Sequence, residues 1–79
     1  MKESIKERKQ KLYDATTRAR IHFLATERMV SKKVKLANPD MPWYDQYKLV
    51  RSNPEWIEAN AKLMGLCEAC NLIGIECGE

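Results

Sequence analysis

A stripe of apolar and small residues runs along the first half of the chain. Residues 3–36 contain neither glycine nor proline, so nothing in this stretch interrupts a helix. The members of the stripe are spaced alternately three and four residues apart, with one step missing at Lys33. They are Leu12, Thr16, Ala19, Phe23, Thr26, Val30 and Ala37. This spacing is that of one face of an α-helix, and it predicts one long helix whose patterned part covers residues 12–36.

Two proline-containing segments predict two further helices. Residues 38–42 include Pro39 and Pro42, which end the first helix and start a short one over residues 42–51. Ser52 and Asn53 precede Pro54 and Glu55, and this order of cap residue, proline and acid predicts the start of a third helix over residues 54–73. An apolar stripe continues along it, and Gly74 and Gly78 mark its end.

The predicted fold class is therefore all-α, with residues 1–79 forming a single domain. The third helix would fold back along the first as a helical hairpin or as part of a three-helix arrangement. A first helix of some 32 residues would span about 48 Å, whereas the third would span about 30 Å, so part of the first helix should overhang. Because the core of so short a chain is small, dimerisation is one way to complete it.

The amino-acid composition excludes several classes of protein. Of the 79 residues 44% are hydrophobic and 32% are charged, which is typical of a globular chain and excludes the disordered class. No run approaches the roughly 18 apolar residues that a membrane-spanning helix needs. Residues 1–11 are mostly charged, with Ile5 as the only large aliphatic, which is unlike a signal peptide. We therefore expect a cytoplasmic protein that does not bind membranes.

Catalytic chemistry has little support in the sequence. There is one histidine, and the chain lacks a Gly-rich phosphate loop, a GxSxG motif and an HExxH motif. A chain of this length also leaves little room for a substrate pocket. We expect no enzyme activity, no catalytic residues and no cofactor.

Charge is divided unevenly along the chain. Residues 1–36 hold eleven Lys and Arg against four acids, whereas residues 37–79 hold three against seven. The basic residues either form a solvated helix face or meet an acidic protein surface or phosphates, and residues 1–11 form a basic arm that can be flexible. The candidate partner-binding residues of this half are Lys6, Arg8, Lys9, Lys11, Arg18 and Arg20.

Aromatic residues concentrate at the proline-rich corner. Trp43, Tyr44 and Tyr47 lie within five residues, and Arg51 follows one helical turn after Tyr47. Such a cluster either closes a small core across a loop or forms an exposed hot spot for a partner, because Trp, Tyr and Arg dominate such hot spots. Both interpretations remain open from the sequence, and all four residues are candidate partner-binding residues.

The three cysteines raise the question of a metal site. Cys67, Cys70 and Cys77, together with His22, could form a Cys3His zinc set. The spacing supports this weakly, because the CxxC lies in a predicted helix and no second CxxC follows. We expect reduced thiols, with Cys67 and Cys70 as small buried residues, and we predict no metal. His22, next to Phe23, is expected to be a core or boundary histidine.

Two functional hypotheses follow. The first is a non-catalytic protein-interaction module, such as an adaptor, regulator or inhibitor, of the kind that a phage or mobile element can carry. It would dock on a larger protein through the basic face of the first helix and the aromatic corner. The alternative is a nucleic-acid-binding protein that uses the basic face of the first helix as a dimer. A helix-turn-helix is disfavoured, because Glu55 and Glu58 open the third helix where basic or amide groups would be needed.

Overall fold

The computed structural model describes residues 4–74, which form three helices. They are α1 (Ile5–Ala37), α2 (Trp43–Ser52) and α3 (Pro54–Leu72). Thr16 of α1 contacts Cys70 of α3, whereas Glu27 contacts Trp56, so α3 runs antiparallel to α1. The predicted all-α class, with a long, a short and a folded-back helix, is confirmed for these residues.

Side-chain caps lie at both ends of α1 and at the start of α3. The hydroxyl of Ser4 accepts a hydrogen bond from the backbone N–H of Glu7 at 3.1 Å, so α1 begins within the residues expected to form a basic arm. At the other end of α1, the amide of Asn38 donates to the carbonyl of Val34. The side-chain oxygen of Asn53 accepts from the backbone N–H groups of Glu55 and Trp56 and starts α3. The caps formed by Asn38 and Asn53 explain why α1 ends and α3 begins next to these amide side chains.

The core lies where the three helices meet. Val30, Val50 and Trp56 form its buried cluster, and Phe23 and Val34 pack against it. Farther along, α1 and α3 approach each other through small residues. Thr16, Ala19 and Thr26 of the predicted stripe are buried there, as are Ala59, Leu63 and Cys70 of α3. The stripe is therefore confirmed as the buried face of α1 from Thr16 to Val30, although it buries few large side chains. The prediction is wrong for Ala37, which is exposed, because Val34 and not Ala37 packs against the core at this end of α1.

The molecule is a rod rather than a sphere. Its principal extents are 57 × 19 × 19 Å, and its radius of gyration is 16.2 Å. A compact chain of this length would have a radius of gyration of about 11.6 Å. Residues 4–11 are exposed, because they extend beyond the level at which α3 contacts α1. No helix within residues 4–74 is both long and apolar enough to cross a membrane.

Candidate interaction surface

Two hydrogen bonds from one side chain fix α2 against the preceding loop. The side-chain amide of Gln46 donates to the carbonyl oxygens of Asn38 at 2.9 Å and Met41 at 3.0 Å. Val50, one turn later, is buried against Val30 and Trp56. One side of α2 is therefore held by the loop and the core, and the other side faces solvent.

The aromatic residues of α2 are largely exposed. Trp43 is 75% exposed, Tyr44 57% and Tyr47 48%. The rings of Trp43 and Tyr44 meet edge to face, with their centroids 6.0 Å apart. Of the two interpretations left open by the sequence, closure of a core across the loop is therefore wrong for these three residues.

Cationic side chains lie over the same rings. The ammonium of Lys48 is 4.6 Å from the centre of the Tyr44 ring, and the guanidinium of Arg51 is 5.5 Å from that of Tyr47. Arg51 also lies 5.6 Å from the ring of Trp56, which ties it to the core. These cation–π contacts hold the flexible side chains of Lys48 and Arg51 beside the aromatic rings. We call Trp43, Tyr44, Tyr47, Lys48 and Arg51 the α2 patch.

Lys48 is the member of the α2 patch that was missing from the sequence-based candidates. It lies four residues after Tyr44, so it faces the same side of α2 and reaches the Tyr44 ring. The four-residue spacing between Tyr44 and Lys48 could have identified Lys48 from the sequence alone. Ser31 and Lys35 of α1 border a groove with Trp43 and Tyr47, which extends this surface onto the end of α1.

The basic candidates of α1 lie away from the α2 patch. Lys6, Arg8, Lys9 and Lys11 are exposed on the overhanging first turns of α1. Lys9 and Lys35 are 26 residues apart in one helix, which corresponds to about 39 Å. The structure therefore does not bring the N-terminal basic residues and the aromatic corner together into one surface.

The two other basic candidates have different surroundings. Arg18 is exposed, whereas Arg20 is half-buried and directs its guanidinium to the sulfur of Cys67 at 3.9 Å. Arg20 thus contributes to the contact between α1 and α3.

The cysteine and histidine candidates are distributed over separate sites. Cys67 is disulfide-bonded, so the expectation of a reduced thiol is wrong for this residue. Cys70 is a free, fully buried thiol 3.2 Å from the hydroxyl of Thr16, as expected of a small core residue. Cys77 lies outside the described residues. Within residues 4–74, no group of three or more His, Cys, Asp and Glu side chains is placed to hold a metal ion.

His22 is not a core or boundary residue. It is exposed on α1 and borders a shallow depression with Glu55, Glu58 and Lys62. The expectation from its neighbour Phe23 is wrong, because adjacent residues in a helix point about 100° apart and only Phe23 turns toward Trp56.

Comparison with known proteins gave no relative. No family model, curated protein or solved structure matches the chain. Functional inference therefore rests on the surfaces described above.

Proposed function

We propose that this protein is a non-catalytic helical interaction module, an adaptor, regulator or inhibitor, that docks on a larger protein through the α2 patch. The observation that carries the proposal is the exposure of three neighbouring aromatic side chains on one anchored helix. Exposed Trp and Tyr side chains next to Arg have the composition of binding hot spots. The proposal keeps the sequence-based expectation that the protein acts in the cytoplasm.

Anchoring of α2 favours tight binding through this patch. Gln46 and Val50 already fix the helix, so docking would order few additional backbone groups. Lys48 and Arg51 are likewise positioned over aromatic rings before a partner arrives. The exposed basic residues on the first turns of α1 lie too far away to join the same contact, and in this proposal they raise the rate of encounter with an acidic partner.

A pull-down with a matched control tests the proposal. The tagged chain is incubated with its native cytosol, one half of which has been treated with nuclease. We expect the same retained protein in both halves, and we expect Trp43→Ala with Tyr47→Ala to weaken its binding by a factor of about 100 or more. Leu72→Ala, which removes an apolar side chain that is 81% exposed at the end of α3, should leave binding unchanged. Equal retention by the double variant would exclude the α2 patch as the docking surface.

Nucleic-acid binding is the second candidate, favoured by the exposed cations on the first turns of α1. The Lys and Arg side chains at this end would bind the phosphates of duplex DNA or RNA. Contacts to phosphates do not depend on the base sequence, so we expect binding without sequence specificity. Fluorescence anisotropy with labelled duplexes tests it. Binding should weaken steeply with salt, with log affinity falling by about 0.9 per phosphate contact, and should be lost when Lys6, Arg8, Lys9 and Lys11 are replaced by Gln. No binding at low salt would exclude this function.

A further inference from the structure

A shallow depression lies along α2 within the α2 patch. It is lined by Tyr44, Tyr47, Lys48, Arg51 and Ser52. Tyr44 lies four residues before Lys48, and Tyr47 lies four residues before Arg51, so these side chains share one flank of the helix. Aromatic rings, cations and hydroxyl groups therefore meet in one recess, which we call the α2 depression.

The groove between α1 and α2 adjoins the α2 depression. Lys35 borders this groove from α1, and Trp43 and Tyr47 border it from α2. Tyr47 lines both recesses, so the groove and the α2 depression are neighbours. Lys35 thus adds a third cation to the two in the α2 depression.

All the charged residues that line the two recesses are basic. They are Lys35, Lys48 and Arg51, and the other lining residues are uncharged. Asp45 is the only acid of α2, and it lines neither recess. The docking surface therefore carries a local excess of positive charge.

The two cations of α2 keep their hydrogen-bond donors available. Within residues 4–74, Lys48 and Arg51 contact aromatic rings and no carboxylate. Glu27 reaches the indole that Arg51 also contacts, but its carboxylate accepts the indole N–H of Trp56. An aromatic ring attracts a cation without supplying an oxygen acceptor, so the N–H groups of both side chains can still bind an anion.

Carboxylates on a protein fit this set of donors better than a nucleic-acid strand does. A guanidinium binds a carboxylate through two parallel hydrogen bonds, and an ammonium adds a charge-assisted one. A single strand of nucleic acid needs a positively charged groove that follows several nucleotides. Here the cations of α2 are flanked in sequence by Asp45 and Glu55, which would repel a longer chain of phosphates.

We propose that the α2 patch, together with Lys35, binds an acidic segment of the partner protein. Aspartate or glutamate side chains of that segment bind Arg51, Lys48 and Lys35, and its apolar atoms pack on the rings of Trp43 and Tyr47. This inference rests on the proposed docking function and specifies the chemistry of the partner.

Selection from a random peptide library displayed on phage tests this chemistry without the partner itself. The full chain is the target, and the retained peptides are sequenced. We expect aspartate and glutamate to be enriched over the unselected library. Replacement of Lys48 and Arg51 by Gln should weaken binding of the selected peptides by a factor of about 10 or more. Lys6→Gln with Lys9→Gln removes the same charge from the overhang of α1 and should change the dissociation rate by less than a factor of about two.

A second variant separates loss of the anion contact from loss of the fold. Arg51 contacts Trp56 of the core, whereas Lys35 and Lys48 are exposed and contact no core residue. Lys35→Gln with Lys48→Gln should therefore keep the helical circular dichroism of the wild type and still weaken binding of the acidic peptides. Undiminished binding by this folded variant and by the Lys48→Gln, Arg51→Gln chain would overturn the proposal.

The remaining outcomes distinguish this inference from the docking function. Selected peptides without an excess of acids that lose binding to the Trp43→Ala, Tyr47→Ala chain would refute an acidic segment and leave the α2 patch as the docking surface. Displacement of the selected peptides by an equal concentration of oligothymidylate would show that the cations take nucleic acid instead. The docking function itself fails only if the pull-down is insensitive to the same double variant.

Discussion

Trp56 combines several contacts at the junction of the helices. Its ring is 5.6 Å from that of Phe23 at an interplanar angle of 60°, and the guanidinium of Arg51 lies on it. Its indole N–H is satisfied by Glu27, which is 29 residues away in the chain. Trp56 thus joins α1 to α3 through one hydrogen bond and one ring contact, and links both to α2 through Arg51.

The hydrogen bond to Glu27 should contribute measurably to stability. We expect Glu27→Ala to lower the free energy of unfolding by about 1.5–3 kcal/mol, because it leaves a largely buried indole N–H without its charged acceptor. Glu27→Gln retains an acceptor and should cost less than half as much. Urea denaturation followed by circular dichroism measures both. Equal stability of the Ala and Gln variants would show that the hydrogen bond contributes little.

Single residues were the least predictable level from the sequence. The periodic stripe identified Thr16, Ala19, Thr26 and Val30 as buried, because helical spacing fixes the angle of each side chain around α1. It could not identify the Glu27–Trp56 pair, because spacing within one helix carries no information about which residue of another helix lies opposite. For the same reason, the sequence left the environment of Trp43, Tyr44 and Tyr47 open.

At the level of helices, α1 and α3 approach through small side chains. Ala19 and Ala59 are buried in this contact. Close approach of two helices requires small residues at the contact.

Two alanine-to-leucine variants of α3 test how closely its contact with α1 is packed. Ala59→Leu should lower the free energy of unfolding by about 1–3 kcal/mol, because the added carbon atoms must displace α1 or adopt strained rotamers. Ala61→Leu makes the same change at an exposed position of the same helix and should alter stability by less than about 0.5 kcal/mol. Thermal and urea unfolding of both variants give the comparison. Similar losses of unfolding free energy in Ala59→Leu and Ala61→Leu would mean that Ala59 is not closely packed.

Helices were more predictable than their mutual arrangement. Pro42, Asn53 and Pro54 act locally, so the starts of α2 and α3 follow from a few neighbouring residues. The orientation of α2 depends instead on Gln46 reaching back to Asn38 and Met41. Hydrogen bonds of this kind between a side chain and the backbone leave no periodic pattern in the sequence. They nevertheless decide which side of α2 forms the α2 patch.

At the level of the whole molecule, candidate surfaces occupy separate parts of a rod. The basic first turns of α1 form one end, and the α2 patch lies near the other. The charge division seen in the sequence does not become a separation along the rod, because α3 folds back beside α1 and Lys32, Lys33 and Lys35 lie at the α2 end of α1. A partner docked on the α2 patch would therefore leave the N-terminal basic residues uncovered.

Local stability should decrease toward the overhanging end of α1. The backbone amides of residues 8–10 and those of residues 19–30 are all within one helix, but only the latter belong to the part packed against α2 and α3. We expect residues 8–10 to exchange amide hydrogen for deuterium about 100 times faster or more, because this end of α1 extends beyond the level at which α3 contacts it and can open locally. Residue-resolved hydrogen exchange measures this difference. Equal protection of both regions would show that a further contact covers the overhang.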